Sequence, residues 1–263
     1  QALGDGYFAP AGSVVDAAIT ARVAAYKREV AGAYRSVPPG DVETLPPGPC
    51  TVSEKVDGET WFLACADGTT TLVSPTGKAI TAVPLTHEAD TLLGSWSGLL
   101  AGELYAACDG SRPRVFDLHA ALGGGERAHV DRLRFAAFDL LLDGKADVGR
   151  TPFADRVDRL QGLLQGGRLL HAASFEMASG PDEVAAAFES VVTQGGAEGL
   201  VVHARDGRIF KIKPEITLDA VVVAYASTAI DVSELLLAML APDGHYQHIG
   251  RVRLGWSHEE SRD

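Results

Sequence analysis

The residues best suited to chemistry form the tetrapeptide Lys55-Val56-Asp57-Gly58, at the end of a predicted strand and at a tight turn. A lysine amine is a nucleophile when it is uncharged. The chain contains only six lysines, so each one is informative. The alternative interpretation is a lysine beside an Asp-Gly hairpin turn, with its ammonium group in water.

Two further lysines, Lys211 and Lys213, lie in a predicted strand, where residues two apart share a face. If that face meets Lys55, three cations are crowded together, and their repulsion favours the neutral amine. A polyphosphate would be held by the same charges, and Glu198 or Asp57 would carry the magnesium ion that it brings. The alternatives are a solvated strand face for the lysines and exposed strand-end carboxylates for the acidic residues.

Several other chemistries are excluded by the motif pattern. Gly77-Lys78 lacks the upstream glycine of a P-loop, and Gly94-Ser95-Trp96-Ser97-Gly98 has tryptophan where a nucleophile elbow needs serine. The three cysteines are odd in number and far apart, which predicts reduced thiols rather than a disulfide or zinc framework.

The composition is that of a globular chain of 263 residues, with 46% hydrophobic residues and a net charge of −12. The longest apolar run, Ala220 to Ile230, is too short to cross a membrane, so we expect a soluble protein without a membrane partner. The reduced cysteines predict a cytoplasmic location. The negative charge argues against a broad nucleic-acid-binding surface.

The elements that must position these residues are read from apolar spacing and from proline and glycine. Apolar residues at helical spacing predict a helix over 14–35, and a proline near the first turn opens two more. Short β-type runs with Asp-Gly turns predict an antiparallel meander over 51–74. The predicted helices are 14–35, 152–164 and 181–193, and the later strands are 99–106, 133–142, 199–203 and 208–212.

Strands and helices that do not alternate strictly predict an α+β fold. Residues 1–49 form an N-terminal helix and a proline-rich lead-in, residues 50–214 the main domain, and residues 215–263 a separate β-rich segment. That last segment contains three predicted strands, over 219–226, 234–240 and 245–254, which can start a small barrel but not close one.

Five short motifs follow one another in a characteristic order. They are Lys55-Val56-Asp57-Gly58, Gly102-Glu103-Leu104, Phe135-Ala136-Ala137-Phe138-Asp139-Leu140, Glu198-Gly199-Leu200-Val201-Val202 and Lys211-Ile212-Lys213. The series resembles that of the covalent nucleotidyltransferases, and most closely that of the ATP-dependent DNA ligases, over about residues 50–258. The resemblance implies a nucleotidyltransferase (ATP-grasp-like) domain of antiparallel sheets with flanking helices, followed by a partial OB-fold β-barrel.

The resemblance also implies a role for each motif. Lys55 would attack the α-phosphate of ATP, expel pyrophosphate and hold AMP, which then passes to a 5′-phosphate before a 3′-hydroxyl displaces it. Glu103 would bind the ribose, Phe138 would stack on adenine in competition with Phe135, and Glu198 would bind magnesium. Lys211 and Lys213 would contact the α-phosphate.

Two positions depart from the ligase pattern. Thr60 and Pro75 stand where the family usually has arginines that read phosphate, and neither can supply a bidentate cationic fork. The resemblance further implies that the rest of the OB-fold, with a basic motif that orients pyrophosphate, follows Asp263. We therefore expect slow self-adenylation and weak, salt-sensitive DNA binding by this fragment.

Three functions are compatible with these features. The first is an ATP-dependent DNA ligase, with ATP and magnesium as cofactors and with nicked or broken DNA and other DNA-repair proteins as partners. The second is an RNA ligase of the same superfamily, favoured by Thr60. The third is a non-catalytic nucleotide-binding or scaffold subunit, favoured by Thr60, Pro75 and the incomplete second domain.

Overall fold

The computed structural model describes residues 1–215, 217–227 and 232–253. The chain divides into two compact units, Gln1–Pro214 and Glu215–Asp263. The first 49 residues belong to the first unit, because they contribute strands to both of its sheets.

The described part of the first unit contains fourteen strands and five α-helices. The strands are β1 (Ala2–Leu3), β2 (Gly6–Pro10), β3 (Arg35–Val37), β4 (Cys50–Lys55), β5 (Glu59–Ala66), β6 (Thr69–Val73), β7 (Lys78–Thr81), β8 (Gly98–Ala106), β9 (Leu133–Asp143), β10 (Ala146–Asp147), β11 (Leu170–Ala172), β12 (Phe175–Ala178), β13 (Gly199–Ala204) and β14 (Ile209–Ile212). The helices are α1 (Ala17–Glu29), α2 (Pro84–Leu93), α3 (Val115–Leu122), α4 (Phe153–Leu163) and α5 (Pro181–Ala187).

The strands form two sheets. The large sheet has the order β1-β2-β7-β6-β5-β8-β9-β10, with β11 pairing in parallel with β9. The small sheet has the order β12-β4-β13-β14-β3, in which only the β14–β3 pair is parallel. The predicted α+β class with mainly antiparallel sheets is confirmed.

Three hydrophobic clusters hold these layers together. One face of the large sheet packs against α2, α3 and α4 around fully buried residues such as Phe135 and Leu104. Its other face packs against α1, where Phe62 meets Tyr26 edge-on at a centroid distance of 5.4 Å. The small sheet buries its outer face, including Val52 and Ile212, against α5 and the segment around Val42. The inner face of the small sheet is left for the site.

The predicted meander over 51–74 is wrong at its first strand. Strand β4 lies in the small sheet, whereas β5 and β6 pair in the large sheet. The turn at Asp57-Gly58 is therefore a crossover between sheets. A Cβ atom on Gly58 would lie 2.3 Å from the carbonyl oxygen of Leu104, so only glycine allows the chain to pass this close to β8.

The predicted helices differ from the structure in three ways. The helix over 14–35 is shorter, because the side chain of Asp16 caps α1 and the chain becomes strand β3 at Arg35. The helix over 181–193 is α-helical only to Ala187 and continues as a π-helical segment, Phe188–Gln194. Helices α2 and α3 were not predicted, although Pro84 at the first turn of α2 is a start signal.

The described part of the second unit is one antiparallel sheet of three strands. They are β15 (Val221–Ser227), β16 (Val232–Leu240) and β17 (Tyr246–Arg253), paired in that order with irregular register in both pairs. This open sheet agrees with the predicted start of a β-barrel. The end of the third predicted strand, Leu254, lies outside the described residues.

Among the described helices, none has the length and apolar character that a bilayer crossing requires.

Candidate active site

A cavity of about 210 Å³ lies between the two sheets of the first unit. It is lined from the small sheet by Ser53, Glu54, Lys55, Val56, Val201, His203, Lys211 and Lys213, and from elsewhere by Tyr26, Tyr34, Thr60, Glu103, Ala136, Phe138 and Ala173. The cavity thus gathers most of the residues that the motifs single out.

Strand register explains why the small sheet brings its motifs together. Lys55 of β4 pairs with Gly199 of β13, and Ser53 pairs with Val201, which pairs in turn with Lys211 of β14. Side chains in register across neighbouring strands point to the same face. Lys55 and Lys211 therefore line the same cavity.

Lys55 and Lys213 are joined by the carboxylate of Glu198. Lys55 Nζ lies 2.6 Å from Glu198 Oε2, and Lys213 donates to Glu198 Oε1. Burial would raise the pKa of the Glu198 carboxyl, but the hydrogen bonds from Lys213 and Lys55 outweigh it and place the pKa below its usual range. All three lysines line one cavity, but the Glu198 carboxylate lies between Lys55 and Lys213 and offsets their repulsion.

Gly199 permits this approach of Glu198 to the lysines. A Cβ atom at this position would lie 2.3 Å from the carbonyl oxygen of Ile212, so a side chain would push β13 away from β14. Position 199 of the Glu198-Gly199 motif therefore requires glycine, because only a residue without a Cβ atom lets β13 lie this close to β14.

Glu103 is a cavity-lining carboxylate from the large sheet, whereas Glu198 lies outside the lining and reaches the site through its contacts with Lys55 and Lys213. Glu103 pairs across strands with Thr60, whose hydroxyl donates to Glu103 Oε2 at 3.5 Å. Burial raises the pKa of the Glu103 carboxyl to about 7. The positive charge of Lys55 lowers this pKa, and the negative charge of Glu198 raises it further. Glu103 therefore titrates near neutral pH.

Phe138 lies on the cavity face of β9, two residues after Ala136, which lines the same cavity. A β-bulge interrupts β9 at this position. Ala101 of β8 pairs with Asp139 and Gly102 pairs with Ala137, so Phe138 has no partner on β8. Phe135 is instead fully buried in the core, where its ring would lie 2.4 Å from a Cβ atom at Gly102. Of the two competing phenylalanines, the structure places only Phe138 in the cavity.

The bulge also places Asp139 in a buried polar network that the sequence analysis missed. Arg156 of α4 contacts both carboxylate oxygens of Asp139, at 2.8 and 3.3 Å, and Tyr26 donates to Oδ2 at 3.4 Å. Tyr34 lies beside Tyr26 at the cavity wall, and burial raises the pKa of its hydroxyl. No sequence signal connected α1 with this network, because the contact spans 113 residues.

Asp57 lies outside the residues that line the cavity and faces Arg112, whose Nη2 is 3.6 Å from Asp57 Oδ2. Among the described residues, no three His, Cys, Asp or Glu side chains gather as a metal site. Magnesium, however, needs only one or two protein carboxylates when phosphates and water complete its shell. Glu198 fits such an ion brought by a polyphosphate.

A larger cavity, of about 970 Å³, lies on the far side of Tyr26 and His203, which line both spaces. Burial lowers the pKa of His203 to about 3, and its ring stacks on Phe153 at 3.5 Å. His203 is thus a neutral wall residue. The smaller cavity remains the candidate site, because it holds the lysines and Phe138.

The protein-family model described as "ATP dependent DNA ligase domain" matches residues 33–212 of this chain. A search of curated protein sequences finds no match.

Several solved structures share the fold at low sequence identity. A structure named Pmar-Lig_PreS3 has a TM-score of 0.67 and 15% identity over 92% of this chain and 62% of that one. A structure from a study of Lig E DNA ligases has a TM-score of 0.61 and 21% identity, over 87% and 85% of the two chains. The ligase domain of LigD from M. tuberculosis has a TM-score of 0.51 and 22% identity, over 89% and 77%. The chain thus spans less than two thirds of the first of these relatives.

Proposed function

Because the chain belongs to the ATP-dependent DNA ligase domain family, we propose that it forms a covalent lysyl-AMP intermediate on Lys55 and passes the adenylate to a 5′-phosphate of nicked DNA. The observation that carries this proposal is the position of Lys55, whose side chain lines the cavity, is only 25% exposed and has its Nζ 2.6 Å from Glu198. A lysine in open solvent would not support it.

The first step is attack of the Lys55 amine on the α-phosphate of ATP. The ammonium group first releases a proton to solvent, because only the neutral amine is nucleophilic. The N–P bond then forms as the P–O bond to pyrophosphate breaks, pyrophosphate leaves with the electron pair, and a second proton passes from the nitrogen to solvent. Glu198 accepts a hydrogen bond from the Lys55 ammonium group. A magnesium ion held by Glu198 would supply positive charge to the phosphates. Lys211 and Lys213 then offer cationic contacts to the α-phosphate.

The nucleoside is held by the opposite wall of the cavity. Phe138 presents an aromatic ring that can stack on adenine, and the Glu103 carboxyl lies on the same sheet face, within reach of a ribose hydroxyl. Thr60 and Tyr34 complete this wall. These roles support ATP as the nucleotide substrate.

The experiment is incubation with magnesium and α-labelled ATP, followed by detection of acid-labile label on the polypeptide. Lys55→Ala should abolish the label, while Lys145→Ala, which changes an exposed lysine outside the cavity, should retain it. Labelling that survives in Lys55→Ala would contradict the assignment. A wild-type chain that never labels would instead favour the non-catalytic nucleotide-binding or scaffold function.

RNA end-joining is the second candidate, and Thr60 favours it because a phosphate-reading arginine is expected there in DNA ligases. Sealing of nicked duplex DNA compared with nicked RNA separates the two activities. A cytoplasmic location, expected from the cysteines, and partnership with other DNA-repair proteins, expected from the ligase assignment, stay predictions.

A further inference from the structure

Arg112 connects the two loops that carry the central ion pair of the site. It lies between β8 and α3, where Nη2 is 3.6 Å from Asp57 and Nη1 donates to the carbonyl oxygen of Gly196 at 3.4 Å. Asp57 follows Lys55 by two residues, and Gly196 precedes Glu198 by two. Arg112 therefore lies at the Lys55 end of both sheets.

The guanidinium of Arg112 has capacity for another ligand. Both of its contacts are longer than the 2.7–2.9 Å typical of charge-assisted hydrogen bonds, and a guanidinium carries five N–H donors. Its side chain is 33% exposed. An anion that reaches this end of the sheets can thus contact Arg112 without displacing a strong ion pair.

A cation is needed at this end because Thr60 and Pro75 replace the two phosphate-binding arginines that the ligase family usually has. The Thr60 hydroxyl donates to Glu103, and Pro75 lies in the turn between β6 and β7. Register places that turn at the same end of the large sheet, since Val73 pairs with Phe62 near the start of β5. Neither residue can bind a phosphate with a charged fork.

We propose that Arg112 binds the 5′-phosphate of the polynucleotide substrate, an inference that rests on the proposed function. In the transfer step, an oxygen of this phosphate attacks the phosphorus of lysyl-AMP. The new P–O bond forms as the P–Nζ bond breaks, and the electron pair returns to Lys55, which takes a proton from solvent. Arg112 takes no part in the proton transfer and holds the attacking phosphate in place.

The test compares binding of two nicked duplexes, one with a 5′-phosphate and one with a 5′-hydroxyl at the nick, by fluorescence anisotropy at low ionic strength. The wild-type chain should prefer the phosphate by about 10- to 100-fold, the range of a hydrogen-bonded charged contact. Arg112→Ala should abolish this preference, and Arg112→Lys should keep part of it because the charge remains without the fork.

Arg114→Ala is the matched control, because Arg114 is an exposed arginine on the same loop. It should preserve the phosphate preference. If Arg112→Ala does not fold, Arg112→Gln, which retains a donor for Gly196, replaces it.

Three results would overturn the proposal: a wild-type chain without phosphate preference, an Arg112 variant that retains it, or equal losses of affinity for both duplexes. The last result would mean that Arg112 only holds the loops. Duplex binding is measured independently of AMP labelling. A wild-type chain that is not labelled by ATP would contradict the proposed function, whereas the three binding results contradict only the role of Arg112.

Discussion

Lys55 Nζ and Glu198 Oε2 lie 2.6 Å apart, where Lys55 of strand β4 pairs with Gly199 of strand β13. The same carboxylate also accepts a hydrogen bond from Lys213. One acidic side chain thus places two cations at the cavity edge and keeps them from repelling each other.

Replacing this carboxylate should impair the first chemical step. In Glu198→Gln the side chain keeps its shape but loses the charge that balances Lys55 and Lys213 and that would hold magnesium. We expect the rate of AMP labelling to fall by about 100-fold or more. Glu189→Gln, at an exposed position, is the control. Unchanged labelling in Glu198→Gln would rule out a role for this carboxylate.

Phe138 should contribute to nucleotide affinity through its exposed ring face. Removing a stacking aromatic costs about 1–3 kcal/mol per base, so Phe138→Ala should weaken ATP binding by about 5- to 150-fold. Phe138→Tyr should bind normally. Phe116→Ala, which changes a phenylalanine that is 61% exposed on α3, is the control. Calorimetric titration with ATP measures the difference, and equal affinity of Phe138→Ala and wild type would exclude stacking.

Asp139 should be a stability residue rather than a ligand. Its contact with Arg156 is almost fully buried, so Asp139→Asn leaves a buried guanidinium without its counter-charge and should cost about 3–5 kcal/mol in the free energy of unfolding. Asp147→Asn breaks an exposed contact with Arg22 and should cost less than about 1 kcal/mol. Urea denaturation compares the two, and similar costs would contradict the prediction.

Glu103 should make stability depend on pH. Burial raises the pKa of its carboxyl to about 7 from an ordinary value of 4.5, so the folded chain holds this proton more tightly than the unfolded chain. The contribution of Glu103 to stability therefore falls as the pH rises from about 4.5 to 7, and the penalty persists above pH 7.

Glu103→Gln removes this penalty, so it should be more stable than wild type at pH 8 by about 1–3 kcal/mol, with no difference near pH 4. Urea denaturation at both pH values measures the gap. Glu54→Gln, at an exposed position, should show no such gap. A gap for Glu103→Gln that stayed constant with pH would show that the carboxyl titrates normally.

The sequence alone predicted the α+β class and proposed the nucleophile. Both depend on local information: the spacing of apolar residues identified most strands, and five short motifs in order indicated the family. The sharing of one face by Lys211 and Lys213 also follows from the two-residue period of a strand. These features need no knowledge of distant parts of the chain.

The tertiary structure decided the features that depend on distant contacts. It placed β4 and β5 in different sheets. The sequence did not predict this, because an Asp-Gly pair shows only a turn and not the close approach of Gly58 to Leu104. It also selected Phe138 over Phe135, because alternation puts the two rings on opposite faces of β9 and only the packing of the sheets decides which face lines the cavity. Sheet partners and bulges are set by burial and hydrogen bonding between residues far apart in the chain, whereas periodicity is set by neighbours. Spacing alone therefore could not determine them.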